Sequence, residues 1–120
     1  MTEVQNSKQY DLEERTLRFA KEVLKFVGTL PKTMVNNEIL KQIIRSSGSV
    51  GANYIEANEA LSKKDFAMRI KICRKEAKES RYWLRLIEVR KEDVEKRRQS
   101  LINEATELMK IFGSIVEEVK

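Results

Sequence analysis

Two glutamate pairs, Glu56 with Glu59 and Glu76 with Glu79, stand three residues apart, a spacing that puts both carboxylates on one helix face. Paired glutamates in helical bundles can hold two metal ions, but the ferritin-like site also needs Glu-x-x-His motifs. The chain has no histidine. The commonest general base and the commonest metal ligand are therefore missing. Cys73 is the only cysteine, so there is no internal disulfide and no thiolate cluster for zinc. In the middle of an apolar stripe it reads as a small buried hydrophobe, not a nucleophile. No catalytic residue, metal or cofactor is expected, and hence no enzyme.

The chemistry the chain does offer is charge. Between Leu61 and Glu92 there are eleven lysines and arginines against five acids, while the remainder has thirteen against fourteen. That segment holds the whole excess behind the net charge of +5. Within it Lys64, Lys71, Arg74, Lys78, Arg81 and Arg85 follow one another at steps of three, four or seven. On a helix this makes one basic stripe, able to neutralise the phosphates of RNA or DNA without reading their sequence. The competing reading is a solvated face whose cations pair along the helix with Glu76 and Glu79.

Apolar periodicity supplies the helix that carries the stripe. Phe66, Ile70, Cys73, Ala77, Ser80, Leu84 and Ile87 alternate steps of four and three, a heptad seam. With that seam at a and d, the six cations fall at the adjoining b and e positions. Ser62 with Asp65 reads as the N-cap opening this helix. An earlier stripe runs from Tyr10 through Leu12, Thr16, Phe19 and Val23 to Val27, with Leu17, Leu24 and Phe26 widening it. Gly28 stands at a C-cap position and Pro31 follows. Val35, Ile39, Ile43, Ser47, Val50 and Tyr54 form a second stripe, with Leu40, Ile44 and Ile55 beside it. Val94, Leu101, Ala105, Leu108, Phe112 and Ile115 form a fourth. No segment alternates at period two. Helices are expected over about 10–28, 34–60, 63–91 and 94–118, joined by short links. Short links force antiparallel neighbours, so the fold class is all-α, an up-down-up-down antiparallel four-helix bundle in one domain, 1–120.

Two features of these helices ask for partners. In the second, Ser47, Gly48 and Gly51 lie within about one turn, which suits close approach of another helix. A phosphate loop is the rival, but the stretch lacks the Lys-Ser/Thr ending and no strand precedes it. In the third, Met68, Ile72, Tyr82, Leu86 and Val89 occupy f and c positions, with Trp83 on the flank, where a lone bundle would place polar residues. An oligomer interface covering that face is expected.

The segment MTEVQNSKQYDLEER has neither a basic n-region nor an apolar h-region, and no apolar run approaches the roughly 20 residues that span a bilayer. A cytoplasmic protein without a membrane role is expected.

The stretch LKQIIRSSGSVGANYIEANEA followed by DFAMRIKICRKEAKESRYWLRLI resembles the four-helix bundle proteins encoded in intervening sequences of bacterial 23S ribosomal RNA genes. The resemblance covers roughly Leu40 to Ile87. That family is related in fold to accessory proteins of diversity-generating retroelements, which are homopentamers that bind nucleic acid. The resemblance implies a bacterial, cytoplasmic bundle assembled as a homopentamer, and it carries over no catalytic residue. Two function classes follow: a nonenzymatic oligomeric binding module contacting RNA or DNA through the basic stripe, or a scaffold that binds another protein and uses its charge for solubility.

Overall fold

The computed structural model describes residues 2–119, with side chains from residue 11 onward. Tyr10, at the start of the first stripe, lies outside the described side chains. The helices are α1 (Thr2–Gly28), α2 (Met34–Asn58), α3 (Lys63–Leu86) and α4 (Glu92–Glu118), with no strand among the described residues. Only four or five residues link successive helices, so neighbours run antiparallel. The backbones of α1 and α3 each run close beside those of α2 and α4, while among the described residues the diagonal helices meet only through their core side chains. The result is the up-down-up-down bundle, 47 × 23 × 19 Å in extent. Its long axis suits 27-residue helices, each about 40 Å at 1.5 Å per residue.

The a and d residues fill the core. Phe19, Val23 and Phe26 of α1 meet Ile43 and Val50 of α2, Ile70, Cys73, Ala77 and Leu84 of α3, and Ala105, Leu108 and Phe112 of α4, all essentially buried. Tyr54 and Phe112 pack with their ring centroids 5.9 Å apart and their planes tilted by 49°. Positions beside the core stripes behave differently. Leu17, Leu24, Ile44 and Ile55 do not widen the core, and Val35 is also exposed.

Helix starts follow local chemistry. The Thr33 hydroxyl accepts from the Asn36 amide at 3.1 Å and caps α2. That of Ser62 accepts from the Asp65 amide at 3.0 Å and caps α3. Helix ends are closed in more than one way. No residue has the left-handed backbone of a glycine cap among the described residues, so Gly28 does not close α1 that way. The last carbonyls are instead taken by Thr29, whose hydroxyl donates to Phe26 O at 2.7 Å, and by Lys32, whose ammonium donates to Val27 O at 2.8 Å.

α3 stops at Leu86, five residues short of the expected end. Ile87 turns extended (φ −69°, ψ 138°) and its side chain enters the core. From α4, the Arg98 guanidinium donates to Leu84 O at 3.0 Å and Arg85 O at 3.3 Å. Glu95 holds that guanidinium with two bonds of 2.8 Å. Hydrogen bonds from Arg98, and secondarily Gln99, keep the Glu95 carboxyl below its usual range. Its contribution is thus complete at neutral pH and is lost as pH falls through that lowered value. Arg98→Ala should destabilise by on the order of 1 kcal/mol in urea unfolding, because charged caps on two helix carbonyls vanish. An unchanged midpoint would show that water replaces them without loss.

Candidate nucleic-acid and subunit surfaces

The six stripe cations all lie on the outer side of α3 that borders α4, in two rows. Lys64, Lys71, Lys78 and Arg85, at b, are exposed. Arg74 and Arg81, at e, are half-buried and lean over α4: the Arg81 guanidinium reaches Thr106 Oγ1 at 3.4 Å, and the Arg74 stem passes beside Gly113. A small residue and a hydroxyl on α4 thus leave room for two arginines to lie flat.

None of the six is in an ion pair among the described residues. Glu76 and Glu79 stand at no three- or four-residue step from any of the six, so they are no partners for them along the helix. Glu76 and Glu79 face α2, where Arg45 donates to Glu76 at 3.2 Å and to Glu79 at 2.9 Å. Pairs between the six cations and Glu76 or Glu79 do not form, and the row Lys64, Lys71, Lys78 and Arg85 is exposed to solvent. Glu76 also has Lys75 of its own helix at 3.9 Å, and Arg69 shares the α2 side by donating to Asn53 at 3.0 Å, so the positive charge without a carboxylate partner is that of the six stripe cations.

The apolar outer face of α3 divides. Met68, Tyr82 and Leu86 are 46% to 59% exposed. Ile72 and Trp83 are half-buried, and Trp83 packs on the core while meeting the Tyr82 ring edge-on at 5.1 Å. Val89 corrects the sequence reading. Because α3 ends early, it leaves the outer face and packs against the core beside an end cavity of about 540 Å³ lined by Leu30, Arg90 and Val94.

The small residues also divide. Ser47 is buried, and a Cβ on Gly51 would lie 3.0 Å from Thr16 Oγ1 of α1. Gly51 is thus a point of close approach between α1 and α2. Gly48 takes no part in it: a Cβ there would have nothing within 4 Å. Neighbours on one face of the helix, the two glycines differ in depth, Gly51 lying against α1 and Gly48 in the open. Ser46 supplies the polar part of the α2/α3 contact, its hydroxyl 2.9 Å from that of Ser80, and both are fully buried.

Burial pushes the Cys73 thiol up to about 12, so it carries no thiolate at neutral pH. No cluster of acids and cysteine suited to a metal occurs among the described residues, and none of their helices is long and apolar enough to cross a membrane.

Comparison with known proteins places the fold in a family. A crystal structure of a protein of unknown function from the S23 ribosomal protein family of Bacteroides thetaiotaomicron VPI-5482 superposes with a TM-score of 0.74. The two are 33% identical over 92% of this chain and 98% of that one. No curated protein sequence matches. Residues 8–114 match the family described as 23S rRNA-intervening sequence protein. With nearly the whole bundle inside that match, the chain belongs to the 23S rRNA-intervening sequence protein family.

Proposed function

We propose that the protein is a nonenzymatic, oligomeric binding module of the bacterial cytoplasm that contacts RNA or DNA phosphates through the basic stripe of α3. The observation that carries this reading is the set of six cations left without carboxylate partners while Glu76 and Glu79 are drawn to Arg45. Uncompensated charge at helical spacing costs self-repulsion in the free protein, and an anionic strand relieves it. Met68, Tyr82 and Leu86 form the subunit contact, and assembly, as a pentamer by the family resemblance, sets several stripes on one particle. Weak phosphate contacts then add by avidity.

The direct test is titration of labelled single- and double-stranded RNA and DNA at about 50 mM salt, where the phosphate attraction is strongest. Lys71→Gln with Lys78→Gln should weaken binding to every sequence alike, since lysines on backbone oxygens carry no base information. Sedimentation of the same variant reports whether assembly is retained. Absence of binding by the wild-type chain would leave the scaffold reading, with the charge serving solubility.

A further inference from the structure

Where α3 passes into α4, the positive charge continues onto the end of the bundle. Arg85 is the last of the exposed stripe cations, and Arg90 and Lys91 follow it in the link between the two helices. Both line the end cavity of about 540 Å³ that opens between this link and the one joining α1 to α2. Neither is in an ion pair among the described residues, and the one carboxylate that lines the cavity, Glu88, is in none either. Two cations against one acid leave the cavity net positive.

The rest of the lining has a different chemistry. Leu30 is buried, Val89 and Val94 are half-buried, and together they give the cavity an apolar wall. Three neutral polar side chains line it too, each with hydrogen-bonding capacity to spare. The Thr33 hydroxyl accepts from the Asn36 amide and keeps its own hydrogen to donate. Asn36 Nδ2 donates to Pro31 O at 3.0 Å, which leaves Oδ1 to accept, and the Thr29 hydroxyl donates to Phe26 O and keeps a lone pair. An apolar wall, neutral donors and acceptors, and a pair of cations match the faces of a nucleobase, its edge and its phosphate. The volume lies within the roughly 300–1,000 Å³ of small-ligand sites. A cube of that volume has an edge of about 8 Å, less than the roughly 12 Å width of the major groove alone. One nucleotide fits, and a base pair does not.

We propose that the end cavity receives one unpaired nucleotide of a strand lying on the stripe, its base against Leu30, Val89 and Val94 and its phosphate on Arg90 and Lys91. The site then favours nucleic acid with an unpaired end over a closed duplex. The inference rests on the reading of the stripe as a phosphate contact. From Lys64 to Arg85 the stripe extends about 32 Å at 1.5 Å per residue, the length of roughly nine base pairs at 3.4 Å each. A duplex of that length covers the stripe, and an overhang at its end reaches the link.

The test compares labelled G·C-rich DNA duplexes of about nine pairs at about 50 mM salt: blunt, with a short overhang at the 5′ or the 3′ end, and with the same overhang made abasic. In at least one polarity the overhang should tighten binding on the order of tenfold, because a base leaving water for an apolar wall adds what phosphate alone does not. The abasic overhang should lose most of that gain although its phosphates remain. Arg90→Gln with Lys91→Gln, both exposed, should lose it as well. Lys96→Gln with Arg97→Gln removes equal charge from exposed positions outside the cavity and should keep it. Equal binding of blunt and overhung duplexes overturns the cavity site and leaves the stripe standing. So does a gain that survives in the abasic probe or in the Arg90, Lys91 variant. Absence of binding by every probe removes the stripe, and the cavity site with it.

Discussion

Gly51→Leu should lower the unfolding free energy by about 1–3 kcal/mol, although leucine exceeds glycine in helix propensity by roughly 1 kcal/mol. The new Cβ would sit 3.0 Å from Thr16 Oγ1 and 3.3 Å from Thr16 Cβ. Thr16 is buried, its hydroxyl donates to Leu12 O at 2.8 Å, and its branched Cβ leaves few rotamers to escape into. The larger part of the leucine side chain then has to separate α1 from α2. Gly48→Ala makes the control, since its Cβ meets nothing and it should stabilise by roughly 0.5–1 kcal/mol through backbone entropy. Both belong in the Tyr82→Glu, Leu86→Glu background, so that the subunit contact proposed for the α3 face does not enter the measured unfolding. Combining Gly51→Ala with Thr16→Ala closes a double-mutant cycle, in which a favourable coupling locates the clash at this pair. Equal responses of the two glycines would show that no neighbour lies against Gly51.

The contrast between those glycines also marks how far the sequence could be read. Heptad spacing places Ile70, Cys73, Ala77 and Leu84 in the core and the six cations beside it, because a and d against b and e is a matter of angle alone. Angle does not say which flank a neighbouring helix covers. Leu17 and Leu24 look like a widened core stripe, and only the position of α1 against α2 and α4 shows that they remain outside. Gly48 and Gly51 have the same ambiguity. Helix starts at Thr33 and Ser62 are local hydrogen bonds and can be found from residue type. The end of α3 cannot, since Arg98 reaches it from fourteen residues away. The pairing of Glu76 and Glu79 with Arg45 is likewise a contact between helices, which the spacing along α3 does not show.

The salt dependence of binding should count how much of the stripe touches phosphate. If all six cations engage a duplex, the slope of log affinity against log salt is about −0.9 per contact, or roughly −5.4, and affinity falls by about 10³ between 50 and 200 mM. If only the exposed row of Lys64, Lys71, Lys78 and Arg85 engages, the slope is about −3.6 and the loss over that range about 10². The geometry favours the shallower value for a rigid duplex. Arg74 and Arg81 lie over α4, and their guanidiniums would have to leave Gly113 and Thr106 to reach a backbone outside the groove. A single strand can enter the groove where a duplex cannot, so it should recruit more of the six despite its smaller slope of about −0.7 per contact. Lys71→Gln with Lys78→Gln should then flatten the duplex slope by about 1.8. A slope well beyond −5.4 would mean that more than one copy grips the same duplex. A slope near zero, with binding intact, would remove phosphate contact as the source of affinity and with it the role assigned to the stripe.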